Sequence, residues 1–259
     1  MIKPLNPPIS DWSGKRVWLV GASSGIGAAL ALRLLNAGAY VVLSARRAEQ
    51  LNLIASSNPR AYAVAFDVTD TSAWPLALRD VLDHLGGIDL VVMGAARYDP
   101  THSWEIDLVQ VEKSFDLNVV SMYRGLSVVV PALIEQGAGG IAMIASISAY
   151  TGLPRALIYG ATKAALNNLA QTLYFELAPK GLAVYLINPG FVQTPMTDVN
   201  DFDMPGLMTP EQAAAAIMTG FEQGRFEIRF PRLFANLLRW IARVPDRLRF
   251  VLLHRLTKM

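Results

Sequence analysis

Residues 16–36, RVWLVGASSGIGAALALRLLN, decide the fold. Arg16 to Val20, an arginine followed by four apolar residues behind the Ser13-Gly14-Lys15 turn, reads as a short buried strand. It passes into Gly21-Ala22-Ser23-Ser24-Gly25-Ile26-Gly27 and then an Ala/Leu-rich helix to about Asn36, with Gly38 as its stop. A strand, a glycine turn and a helix N-terminus together make an anion site: backbone N–H groups face the charge, and absent side chains let it approach. The spacing is G-x-x-x-G-x-G rather than G-x-G-x-x-G, and a tight turn holding no ligand accounts for it equally well.

The same unit recurs outward from there. Tyr40–Ser44, Tyr62–Phe66, Leu90–Met93, Ile141–Ala145 and Ala183–Ile187 read as five further strands, separated by helical stretches at 73–85, 105–134 and 156–178. Six strand-then-helix units without a repeat period or linker predict one α/β domain, doubly wound around a mostly parallel sheet. We place that domain at residues 1–231, with a loop at 194–212 and a C-terminal helical extension at 232–259.

Several side chains fall where such a sheet binds ligands, at the C-terminal ends of its strands. After the second strand stand Arg46 and Arg47 with no acid, which favours a 2′-phosphate and hence NADP(H) over NAD(H); alternatively both simply solvate the next helix. Asp67, after the third strand, either accepts from an adenine amino group or caps a helix, for which Asp70 is better placed. Gly94 and Ala95 let backbone pass close to a ligand. Asn118, set among Leu117, Val119 and Val120, is a structural bracket or a member of a proton path. Ser146 closes the fifth strand.

Tyr159 and Lys163 stand at i and i+4, on one face of a helix. A cation about 4 Å from the phenol, at an effective dielectric of about 20, is worth roughly 4 kcal/mol. That would draw a tyrosine down by up to about three pKa units and make it a usable acid/base. A serine hydroxyl nearby would hold the substrate oxygen.

In order and spacing, Gly21/Gly25/Gly27, Asp67, Asn118, Ser146, Tyr159, Lys163 and Pro189-Gly190…Thr194 resemble the short-chain dehydrogenase/reductase family over about residues 14–230. The resemblance implies a Rossmann-type fold and an oxidoreductase with Tyr159 as acid/base. It implies Ser146 as the substrate's hydrogen-bond partner, Lys163 as pKa modifier and nicotinamide-ribose ligand, and Asn118 as the anchor of a relay water. The cofactor surface it implies comprises Gly21, Ser23, Ser24, Gly25, Ile26, Gly27, Arg46, Arg47, Asp67, Val68, Gly94, Ala95, Tyr159, Lys163, Pro189, Gly190, Val192 and Thr194. It also suggests a dimer or tetramer through the two long helices. Two departures stand out: Val20 replaces the family's usual Thr, and Met93-Gly94-Ala95-Ala96 its N-N-A-G. Both predict a reshaped pocket rather than a dead site. An epimerase, an NAD-dependent variant, a catalytically idle dinucleotide sensor or a membrane-associated binding module remain alternatives on the same frame.

Composition narrows the field. With 53% hydrophobic and 17% charged residues the chain suits a heavily buried parallel sheet. It has no Cys, and its three His show no metal-ligand spacing, so no metal site is expected. The N-terminus lacks an apolar signal core, which predicts a cytoplasmic protein. Charge is unevenly spread: residues 225–259 carry +7 and the preceding 224 carry −5. In the tail, Leu233, Phe234, Leu237, Leu238 and Ile241 follow helical spacing with Arg232, Arg239 and Arg243 interleaved. Such a helix lies on a membrane surface, peripheral to the inner face, or packs on a second subunit or over the pocket. Nucleic acid is not expected, since the tail lacks polar side chains for reading bases. Phe202, Met204, Leu207 and Met208 in the loop, with Tyr98 and Trp104, predict a hydrophobic carbonyl or alcohol substrate.

Overall fold

The structure, a computed structural model, describes residues 3–257. The outermost residues of both expected segments, 1–2 and 258–259 with Lys258, lie outside them. Seven strands form one sheet: β1 Arg16–Val20, β2 Tyr40–Ala45, β3 Ala61–Ala65, β4 Leu90–Met93, β5 Gly140–Ile144, β6 Ala183–Pro189 and β7 Glu227–Phe230. Their order is β3-β2-β1-β4-β5-β6-β7 and every pairing is parallel. The chain is therefore a single Rossmann-like α/β domain, as its periodicity predicts.

Burial on both faces explains why the central strands read as continuous apolar runs. Alternation sends Leu19, Leu43 and Tyr185 to one core, beneath α1 (Gly25–Asn36) and α7 (Pro210–Glu222). It sends Trp18, Val42 and Met143 to the other, beneath α3 (Ala73–Leu85), α5 (Ser121–Gln136) and α6 (Leu157–Leu177). The short α2 is Ala48–Ala55.

β7 is the strand that sequence reading misses. It is four residues long and merged there into the tail, because only Ile228 and Phe230 point into the core while Glu227 and Arg229 face outward. Beyond the end of β7, the side chain of Asn6 completes the edge of β6. Its amide donates to the Val184 carbonyl at 2.8 Å and accepts from the Val184 N–H at 3.1 Å, copying a strand neighbour.

The helical stretch expected at 105–134 starts at Leu108, where Asp107 caps α4 (Leu108–Phe115) by accepting from the Val109 N–H. A π-helical turn at Asp116–Val120 then joins it to α5. The combined path Leu108–Gln136 is long and apolar enough to cross a membrane by length and composition alone. Its Met122, Leu126, Val129 and Leu133 are instead buried in the second core. The loop after β6 ends sooner than 212: Thr209 and Gln212 form a capping box, so 210–212 are already helix.

The C-terminal segment forms α8 (Arg232–Ile241) and α9 (Asp246–Thr257). Ala235, Leu238 and Ile241 of α8 pack with Ile147, one residue beyond Ser146. That accounts for only part of the apolar arc. Leu233, Leu237 and Trp240 project from another side of the helix and are 89%, 43% and 55% exposed.

Candidate active site

A cleft of about 640 Å³ opens at the C-terminal edge of the sheet, beside the point between β1 and β4 where the strand order reverses. Its floor is the glycine turn. A Cβ on Gly27 would lie 2.1 Å from the Gly21 carbonyl oxygen, and one on Gly21 would lie 2.6 Å from the Ala95 nitrogen. Only hydrogen fits at either place, so backbone is exposed to whatever enters. No acid stands in the first turn of α1 and Ser24 makes no side-chain cap, which leaves those N–H groups to a ligand.

Arg46 and Arg47 stand at one end of the cleft. Arg47 folds back over the turn, its Nη2 donating to Ser23 Oγ and Ser24 Oγ, both at 2.9 Å. Arg46 reaches within 3.9 Å of Asp67. Asp67 is not on the wall: its Oδ1 accepts from the Thr69 N–H and hydroxyl, and its neighbours Phe66 and Val68 line the cleft instead. Asp70 likewise accepts from Ser72, one residue before α3, so neither acid caps the helix directly.

At the other end, β5 leads to Ser146, and the first and second turns of α6 deliver Tyr159 and Lys163. The Ser146 N–H donates to Asn188 Oδ1 at 3.1 Å, while its Oγ accepts from the Ser148 N–H at 3.1 Å. The Ser146 hydroxyl also hydrogen-bonds the Tyr159 phenol, which favours the phenolate. The ring of Tyr98 meets that of Tyr159 edge-on at 5.0 Å, and its hydroxyl donates to Asn200 in the loop after β6. Trp104 is 77% exposed and stacks on His102.

Lys163 departs from the electrostatic expectation. Its Nζ donates to the Ile144 carbonyl at 2.9 Å and sits 5.5 Å from the centre of the Tyr159 ring. Burial pushes the lysine down to about 7. Burial also pushes the Tyr159 phenol up to about 12, and Tyr98 adds to the rise while Ser146 opposes it. Both charged forms are short of water here, and dehydration outweighs the attraction counted from sequence.

Asn118 sits behind the wall, 1% exposed. It accepts from the Arg97 N–H, and its amide donates to the Arg97 carbonyl and to Thr162 Oγ1 at 3.1 Å. Thr162 in turn donates to the Tyr159 carbonyl. Asn118 thus brackets the exit of β4 to the helix bearing Tyr159. Thr162 and Asn188 are the contributors sequence reading passes over. Asn188 leaves one signal, a polar residue closing an apolar strand before Pro189.

The fold and cleft together define a dinucleotide-binding oxidoreductase frame. Residues 15–204 match the short chain dehydrogenase family model, and the chain belongs to the short-chain dehydrogenase/reductase family, as an oxidoreductase. An uncharacterised oxidoreductase of Staphylococcus epidermidis is 36% identical over 206 residues, 79% of this chain and 90% of that one. Another from Myxococcus xanthus is 32% identical over 94% of this chain and 95% of its own length. The crystal structure of a 3-ketoacyl-(acyl-carrier-protein) reductase from Brucella melitensis complexed with NADH is similar at a TM-score of 0.79 and 25% identity, covering 85% of this chain and 99% of that one.

Proposed function

We propose that the chain is an NADP(H)-dependent enzyme interconverting a carbonyl and an alcohol on a hydrophobic small molecule. The observation that carries this is the convergence of Ser146, Tyr159 and Lys163 in one cleft with the glycine turn and two guanidiniums. A bound nicotinamide would supply or accept the hydride. The glycine turn and Arg46/Arg47 would hold its phosphates, and Val192 and Thr194 line the same cleft. Ser146 Oγ orients the substrate oxygen. Tyr159 gives that oxygen its proton in reduction and takes it back in oxidation. A phenol held near 12 stays protonated at neutral pH, the form that reduction needs. Lys163, fixed by the Ile144 carbonyl, supports the ring from beneath. Tyr98 and the loop from 194 to 209 give the substrate side its apolar character.

The choice of NADP(H) rests on the end of β2, where two arginines and no carboxylate face the cleft. NADPH oxidation with a panel of apolar ketones and aldehydes tests both parts. Arg46→Ala/Arg47→Ala is expected to weaken NADPH about 10- to 100-fold, as for lost charge-assisted bonds, and to leave NADH nearly unchanged. An equal loss for both cofactors would remove the assignment.

The exposed stripe of Leu233, Leu237 and Trp240 favours a second role, contact of α8 with an anionic membrane surface, at the cytoplasmic face. These side chains lie outside the core, so they test the idea without unfolding α8. Leu233→Ser/Leu237→Ser/Trp240→Ser is expected to lower co-sedimentation with phosphatidylglycerol vesicles at least tenfold while Tm holds. Unchanged partitioning would end the proposal.

A further inference from the structure

A second cleft, of about 1010 Å³, lies away from the glycine turn, between the N-terminal segment, α6, β7 and α8. Among the described residues five cations line it, Lys3, Arg225, Arg229, Arg239 and Arg243, against the single carboxylate of Glu227. That carboxylate is shared: Arg229 and Arg239 approach its Oε2 at 3.2 and 3.3 Å. Lys3, Arg225 and Arg243 form no ion pair among the described residues. Arg225 is half-buried, and burial together with repulsion from Arg232 and Arg229 lowers its affinity for its proton. A concave surface with this surplus concentrates anions, and planar guanidiniums match the paired oxygens of phosphate.

We propose that this cleft is a binding site for a small phosphate-bearing anion, distinct from the cofactor site. It faces the catalytic serine through two residues. Asn188 Nδ2 donates to Glu227 Oε1 at 3.0 Å, and Asn188 Oδ1 accepts from the Ser146 N–H at 3.1 Å. Tyr150, four residues past Ser146, donates its hydroxyl to the same Glu227 oxygen. An anion that engages Arg229 and Arg239 draws them from Glu227, and Glu227 with Asn188 holds the segment carrying Ser146. Occupancy of the cleft therefore changes turnover.

The inference does not rest on the cofactor assignment, and its test separates the two. Inorganic tripolyphosphate is titrated calorimetrically into the full chain, into Arg225→Ala/Arg243→Ala and into Arg46→Ala/Arg47→Ala, at low and high salt. The expected result is binding to the wild type that weakens with salt, at least tenfold weaker binding to Arg225→Ala/Arg243→Ala, and unchanged binding to Arg46→Ala/Arg47→Ala. Tm and turnover without tripolyphosphate stay as in the wild type for Arg225→Ala/Arg243→Ala, and added tripolyphosphate alters the wild-type rate but not the rate of that variant. Binding retained by that variant overturns the site, as does binding lost only in Arg46→Ala/Arg47→Ala, which would place the anion in the glycine turn. No binding to the wild type, with a sedimentation coefficient that falls in Arg225→Ala/Arg243→Ala, overturns it in favour of an interface between two copies.

Discussion

Tyr159→Phe is expected to lower kcat by about 10³-fold, within the range for loss of a positioned acid/base, while the Kd for NADPH moves less than about threefold. The substitution removes one oxygen and its bond to Ser146 and leaves the ring. The edge-on packing of that ring on Tyr98 at 5.0 Å survives, so the helix and the bracket at Asn118 have no cause to shift. A fall in turnover without loss of NADPH binding would place the effect on proton transfer rather than on the cofactor floor. Stopped-flow NADPH oxidation and a fluorescence titration of NADPH read the two quantities separately. Full turnover in the variant would remove Tyr159 from the chemistry.

Lys163→Met is expected to stabilise the ligand-free chain at pH 6 by a few kcal/mol, although turnover falls steeply. In the unfolded chain the ammonium titrates near its ordinary 10.5, whereas burial lowers it to about 7 in the folded one. Between those values the unfolded chain holds a proton that the folded chain has released, so wild-type stability rises with pH across that window. Below pH 7 the cost of burying the charge is fully present. At about 1.36 kcal/mol per pH unit it amounts to on the order of 5 kcal/mol, offset by roughly 1–3 kcal/mol for the Ile144 carbonyl that loses its donor. The advantage of the variant should shrink steadily towards pH 10. Urea denaturation of both chains at pH 6, 8 and 10 gives the comparison. Parallel profiles would mean that the folded chain keeps the lysine charged, contrary to the burial argument.

The contrast between these two residues shows where sequence reading reaches. That Tyr159 and Lys163 share a helical face is local geometry, fixed by 3.6 residues per turn and visible in the spacing. The sign of each pKa shift is not local. It depends on how much water the sheet and α6 leave around the pair, and a one-dimensional pattern carries no measure of that. Asn118 is a similar case: its apolar company announces burial, but its partners at Arg97 and Thr162 come from other elements.

By itself the sequence determined the doubly wound frame, the glycine turn and six of the seven strands, and its family resemblance singled out Ser146, Tyr159 and Lys163, which line one cleft. The frame, the turn and the strands follow from short-range spacing: apolar runs, and glycines set between a strand and a helix. Tertiary structure alone decided that Glu227–Phe230 pairs with β6, that α8 buries one side and exposes another, and that five cations line one cleft with Glu227. Those outcomes rest on contacts between distant segments, where burial and the competition for hydrogen-bond and charge partners are set only once the chain has closed on itself.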